Sequence, residues 1–178
     1  MAKREFRRIV TGHNAQGKSI VVNDGPGRAQ FDEHGGGTCE FWVTGAIPVD
    51  NKSPNDPADR PRKLEPPANG SILRYFALPP ESIHTAAEWE EHARKMFEAI
   101  GASHCRVDTS RHPAMHRTRT LDYIILLEGE VSMLLDEGEV KMKPFDVLIQ
   151  RGTNHGWVNH GKTTALLAAV LIDAQPAP

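Results

Sequence analysis

The last third of the chain is built from short apolar runs broken by turn formers. Stretches 122–127, 131–135, 139–142, 147–150, 156–159 and 165–172 are separated by Glu128-Gly129, Asp136-Glu137-Gly138, Pro144-Phe145-Asp146, Arg151-Gly152-Thr153 and His160-Gly161. Strands at this spacing, with glycine at the turns, predict an antiparallel sandwich or barrel. A small closed β architecture removes its sheet edges and leaves an interior able to hold a ligand.

Upstream the pattern is sparser. Short apolar stretches at Arg8-Ile9-Val10 and Ser19-Ile20-Val21-Val22 flank a turn at His13-Asn14-Ala15-Gln16-Gly17, and another follows at Phe41-Trp42-Val43. Residues 49–69 are polar and proline-bearing and predict an irregular arm or lid over the surface. A strand over 71–78 ends at Pro79-Pro80. One helix is predicted over 85–100. Thr85 and Glu88 have capping-box spacing. Trp89, Ala93, Met96, Phe97 and Ile100 follow at helical period as a core-facing stripe, and Gly101 ends it.

Composition narrows the function classes. With 178 residues, the chain can bury roughly 70% of its unfolded surface. Lys and Arg number 21 against 23 Asp and Glu, net −2, so there is no basic excess with which to bind nucleic acid. The longest wholly apolar run, 165–172, is far short of the ~20 residues of a spanning helix. The charged opening MAKREFRR has no apolar run behind it, which predicts no secretory signal and a cytoplasmic protein. Cys39 and Cys105 lack metal-type or redox-type spacing and read as reduced thiols. No phosphate-binding loop, dinucleotide fingerprint or Gly-x-Ser-x-Gly elbow occurs.

Nine histidines are the first hint of chemistry. In an extended chain His116, Thr118, Thr120 and Asp122 share one face, continued by the apolar Ile124 and Leu126. Tyr123 faces the other way. Arg117 and Arg119 have the opposite parity and point outward or to the rim.

Here the sequence resembles the cupin superfamily, small jelly-roll β-barrels. The family's first motif is His-x-His, three to four residues, Glu, six residues, Gly. This chain reads His116, Arg117, Thr118, three residues, Asp122, six residues, Gly129. The second motif, Gly, five residues, Pro-x-Gly, two residues, His, three residues, Asn, is matched in part by Gly138, Pro144 and, further on, His155 and Asn159. Pro144-Phe145-Asp146 resembles the family's Pro-Gly-Asp turn with Phe at the Gly position. Gly152-Thr153-Asn154-His155 resembles its Gly-x-x-His.

The resemblance implies a mainly β fold, an antiparallel jelly-roll barrel over 105–174. An N-terminal extension, 1–104, supplies edge strands, the 49–69 arm and one helix packed outside; 175–178 is a tail. It also implies a divalent metal held by His116, Asp122 and His155, with Thr118 where the family has a second histidine. Two histidines and a carboxylate suit non-haem Fe(II) with open positions and would equally accept Zn, Mn or Ni. The favoured expectation is Lewis-acid chemistry, of lyase, dehydratase, decarboxylase or isomerase type, on a small carbonyl- or carboxylate-bearing substrate. The alternatives are an Fe(II) dioxygenase and a non-catalytic ligand-binding barrel, the latter favoured by Thr118. Thr118, Gln150 and Trp157 are candidate substrate contacts. His112 is a candidate acid/base group, and Arg151 a carboxylate clamp. The remaining histidines, His13, His34, His84, His92, His104 and His160, are expected as scattered surface residues. Two copies are expected to pair, without nucleic acid or membrane.

Overall fold

The computed structural model describes residues 5–53 and 55–177. The first four residues of the charged opening, and Pro54 of the arm, lie outside them. Among the described residues there are eleven strands and one α-helix, in the predicted order except for the strand Arg28–Phe31, which no apolar run predicted. They are β1 (Arg7–His13), β2 (Ser19–Pro26), β3 (Arg28–Phe31), β4 (Gly37–Thr44), β5 (Ser71–Leu78), α1 (Ala86–Ala99), β6 (Thr120–Glu128), β7 (Val131–Leu135), β8 (Glu139–Met142), β9 (Val147–Arg151), β10 (His155–Val158) and β11 (Ala165–Asp173). Short 3₁₀ turns stand at Glu81–Ile83 and Ser103–Cys105.

A six-stranded antiparallel sheet, in the order β3-β4-β5-β11-β6-β9, faces a three-stranded one, β10-β7-β8, and β1 and β2 form a separate ribbon. The two facing sheets share one core. Ile72, Ile124, Leu126, Leu167 and Leu171 from the large sheet pack with Val131 and Met142 from the small one. β5 therefore belongs to the same core as the strands after residue 105, and the division at 104/105 separates no second core. The crossing from β6 to β7 turns at Gly129, whose φ is +80°; a Cβ there would stand 2.9 Å from Ala165 Cα. Glycine meets both demands.

Two local features set which side chains face inward. In β6, Thr120, Asp122, Ile124 and Leu126 are all buried, whereas Tyr123 and Ile125 are exposed, as strand parity requires. In β4 the pairing with β5 shifts register between Glu40 and Trp42. That bulge lets Glu40, opposite Arg74, and Val43, opposite Ile72, face the same interior although they are three residues apart.

The helix has its predicted cap. Thr85 Oγ1 accepts from the Glu88 N–H, and the Glu88 carboxylate accepts from the Thr85 N–H. Its stripe differs from expectation at Met96, which is 39% exposed. The helix rests on one narrow line, Ala93 and Phe97, against Leu64, Ala102, Cys105 and Ala114, and Met96 lies just off it. The arm carries no strand or helix among its described residues, but it is fastened down. Asp56 pairs with Arg8, Arg62 donates to Thr38 and to the Arg28 carbonyl, and Ala58 is 1% exposed.

Candidate active site

The first and second histidine motifs meet as an isolated antiparallel bridge, with His116 and His155 exchanging backbone hydrogen bonds of 2.8 and 2.9 Å. Their rings lie side by side, centroids 4.3 Å apart. Each ring is oriented by its own loop: His116 Nδ1 lies 2.9 Å from the Ala114 carbonyl, and His155 Nδ1 3.0 Å from the Thr153 carbonyl. A carbonyl only accepts, so Nδ1 carries the proton and Nε2 of each ring bears the lone pair. Burial pulls both rings below the ordinary histidine value. For His155, burial, followed by its neighbour His116, brings the pKa to about 3. For His116 the Ala114 carbonyl partly opposes the fall. Both are neutral at pH 7.

Phe97 of α1 lies 5.0 Å from the His116 ring, so the helix covers this end of the barrel. Trp157 lies 5.9 Å from His155 and 5.8 Å from Phe76, and walls the same interior.

Along β6 runs a hydrogen-bonded line. Thr118 Oγ1 and Thr120 Oγ1 are 2.7 Å apart, and Thr120 in turn hydrogen-bonds Asp122. Asp122 is 4% exposed and its Oδ1 has no partner. Burial pushes its pKa up to about 6, against the lowering influence of the Thr120 hydroxyl and the Arg74 charge. Across the strand pair from Asp122 stands Gln150, whose amide donates to the Thr153 carbonyl and hydroxyl. Gln150 thus braces the loop that orients His155.

The structure brings His116 and His155 together. Asp122 faces the same interior, but the ligand atoms of the three residues do not all lie within 4.8 Å of one another: among the described residues, the three-donor group that does so is a different one. His112 is occupied elsewhere, with Nε2 2.9 Å from Glu81 Oε1 and Nδ1 accepting from the Ala114 N–H. Arg151 is exposed and shares the outward parity of Ile149. Asn159 of the second motif ties turns together, donating to the Leu78 and Thr163 carbonyls. The scattered-histidine expectation is corrected at His34, His84 and His92. His84 packs against His34 at 5.2 Å, Trp89 at 4.9 Å and His92 at 5.5 Å, because the 3₁₀ turn and α1 fold back on each other.

Sequence reasoning passed over the other charges of the interior. Arg74 and Glu40, 4% and 2% exposed, form an ion pair at 2.9 Å, and Arg74 also donates to the Lys63 and Leu64 carbonyls of the arm. The available signal was an arginine at the inward parity of Ile72 and Phe76 in an otherwise apolar strand. Glu40 also lines a cavity of about 550 Å³ with Arg28, Arg60 and Arg62.

No family model matches the chain. Phomopsin biosynthesis cluster protein C' of Diaporthe leptostromiformis is 44% identical over 64 residues, 35% of this chain and 34% of that protein. The chain thus spans about a third of the length of the first curated relatives it matches. The Cupin-domain-containing oxidoreductase virC of Hypocrea virens is 29% identical over 183 residues, 97% of this chain and 78% of that protein. Over nearly its whole length the chain is thus similar to proteins named as cupin-domain-containing. A solved Cupin 2 conserved barrel domain protein from Salinispora arenicola CNS-205 superposes on 83% of this chain and 84% of its own, with 13% identity and a TM-score of 0.42. No helix among the described residues is long and apolar enough to cross a membrane.

Proposed function

We propose that this protein is a cupin enzyme of the oxidoreductase class acting on a small anionic molecule, with His116 and His155 holding a divalent metal and Asp122 its third protein donor. The observation that carries the reading is the pair of buried neutral imidazoles. Each is fixed through Nδ1 by a loop carbonyl, which leaves two Nε2 lone pairs side by side, the way metal-ligating histidines are oriented. The unpartnered Asp122 Oδ1 fits the same role once the carboxylate comes within reach. Iron at such a site supplies redox chemistry, and Zn, Mn or Ni supplies Lewis acidity alone. The oxidoreductase names of curated relatives favour the former over the Lewis-acid chemistry that the sequence motifs suggest.

The chain's own residues would do the rest. Trp157 and Phe97 exclude water from the two imidazoles. Thr118 offers a neutral hydroxyl where a third imidazole would stand, and hydrogen-bonds a substrate oxygen. With no metal bound, Asp122 holds a proton below about pH 6 and releases it above, so metal binding there would displace that proton at lower pH. The arginines of the cavity beside Glu40 draw in a carboxylate-bearing substrate.

A second reading, a metal-free ligand-binding barrel, is favoured by the spread of the three donors, whose ligand atoms do not all lie within 4.8 Å of one another. Elemental analysis of untagged protein purified without added metal separates the two. The expected result is about one iron per chain in wild type, lost in His116→Ala and in His155→Ala. Zinc, manganese or nickel at that ratio, likewise lost in both variants, would return the Lewis-acid chemistry to the front. A wild type that binds none of these ions when each is offered overturns the enzyme as drawn and leaves the binding barrel.

A further inference from the structure

The arm, the Ser103–Cys105 turn and the entry to the first motif converge on a second cluster of donor atoms. Glu65 Oε2 lies 3.1 Å from His104 Nε2, and Cys105 Sγ lies 3.5 Å from the same nitrogen. Among the described residues this is the group of three metal-type side chains whose ligand atoms all fall within 4.8 Å. We propose that Glu65, His104 and Cys105 form a zinc site, separate from the barrel pair, which clips the 49–69 arm to the segment leading into the first motif.

The donor spacing supports a tetrahedral ion. With zinc bonds of about 2.0–2.1 Å to nitrogen and oxygen and about 2.3 Å to sulfur, tetrahedral ligands stand about 3.3 Å (N to O) and about 3.6 Å (N to S) apart. The observed edges are close to both. Hydrogen bonding alone explains the cluster less well. A single imidazole nitrogen has one in-plane direction, either a proton or a lone pair, so it serves the carboxylate or the thiol but not both. An ion on that lone pair satisfies both at once.

The outer partners hold two of the donors in place. Glu65 Oε1 accepts from the Arg119 N–H at 2.9 Å, which leaves Oε2 facing His104. The Cys105 carbonyl accepts from the Arg117 N–H at 2.8 Å. Such bonds to the far side of a ligand orient it for the metal. Cys105 is buried, whereas the His104 side chain is 66% exposed, so the ion reaches the site from solvent and water completes the fourth position. On binding, the thiol gives its proton to solvent, and affinity therefore falls as pH is lowered.

Cobalt(II) titration of the chelator-treated full chain reads this site through thiolate-to-cobalt charge-transfer absorption, which zinc then abolishes by displacement. The same saturated band is expected in wild type, in Cys39→Ser and in the His116→Ala/His155→Ala double variant, where the barrel pair no longer takes cobalt and one equivalent per chain saturates it. The barrel pair has no cysteine and cannot produce the band, so this result stands or falls independently of the proposed function. Cys105→Ser is expected to lose the band. Glu65→Gln and His104→Ala, at partly exposed positions that leave the core intact, are expected to weaken binding by more than about tenfold. A wild type without the band, or a band of undiminished affinity in His104→Ala, overturns the site.

Discussion

Replacing Arg74 by methionine keeps a long side chain inside the barrel and removes its charge. Glu40, 2% exposed, is then left without the cation 2.9 Å away, and breaking one half of a buried pair costs about 3–5 kcal/mol. The intact pair is itself a poor bargain. Burial, the largest influence, lowers the Arg74 pKa from 12.5 to about 10 although Glu40 acts to raise it. At about 1.4 kcal/mol per tenfold change, folding disfavours the charged guanidinium by roughly 3 kcal/mol, a cost fully present at any pH below about 10. Removing both charges in Arg74→Met/Glu40→Leu is therefore expected to bring stability back to within about 1 kcal/mol of wild type, or above it. Urea unfolding with linear extrapolation measures all three proteins. At about 2–4 °C per kcal/mol for a domain of this size, the single variant should melt roughly 6–20 °C lower. A single variant within about 1 kcal/mol of wild type, or a double variant as unstable as the single, refutes the reasoning.

Phe145 occupies the left-handed region at φ +74° and is 80% exposed, so Phe145→Gly should relieve steric strain and stabilise by about 1 kcal/mol, read as a rise in melting temperature. Thr85→Ala removes half of the capping box and should cost about 1 kcal/mol in denaturant unfolding, with Thr85→Ser largely restoring it. His155 stays neutral in the folded chain down to about pH 3 but titrates near 6.5 when unfolded. Its contribution is therefore complete above pH 6.5 and is lost, at up to about 1.4 kcal/mol per pH unit, as pH falls toward 3. In chelator-treated protein His155→Gln should flatten the pH dependence of stability across that window, and an unchanged slope would locate the acid sensitivity elsewhere.

Much of the fold was legible because its signals are local. β5, β7 and β8 follow apolar runs bounded by Pro or Gly, and the helix start is a single side-chain exchange between Thr85 and Glu88. Phe145 was readable as a residue standing where the resembling family has glycine, and its positive φ gives the physical meaning of that position. The His116–His155 pair was legible from the order of two motifs. What escaped depends on chain segments far apart in sequence. β3 is four residues without strong alternation and exists because β4 pairs with it. The Glu40–Arg74 pair needs a bulge in β4 that no residue pattern announces. Glu65, His104 and Cys105 come from irregular segments about forty residues apart, where neither a helical nor a strand period places side chains together. Asp122 was placed correctly in the interior by parity, but parity fixes a face and not a distance.

The substitution of Thr118 for an imidazole bears on the charge the barrel can hold. Arg74 and Glu40 cancel each other, and His116 and His155 are neutral, so Asp122 supplies the remaining charge on the inward face. Alone it favours its proton, with a pKa of about 6. A dication would hold Asp122 ionised, and two neutral imidazoles and one carboxylate would then leave the centre with a net charge of about +1. A third histidine would not alter that sum, because an imidazole ligand is neutral. What Thr118 removes is a donor, which leaves one more position for a substrate or water oxygen beside an uncharged hydroxyl. A buried positive centre with a free position favours an anionic ligand, since the ligand neutralises charge that water is excluded from screening. The arginines around the cavity that Glu40 lines favour the same sign outside the barrel. On the proposed reading, Thr118 and those arginines would suit one substrate chemistry: a small molecule that presents a carboxylate or enolate oxygen to the histidine pair.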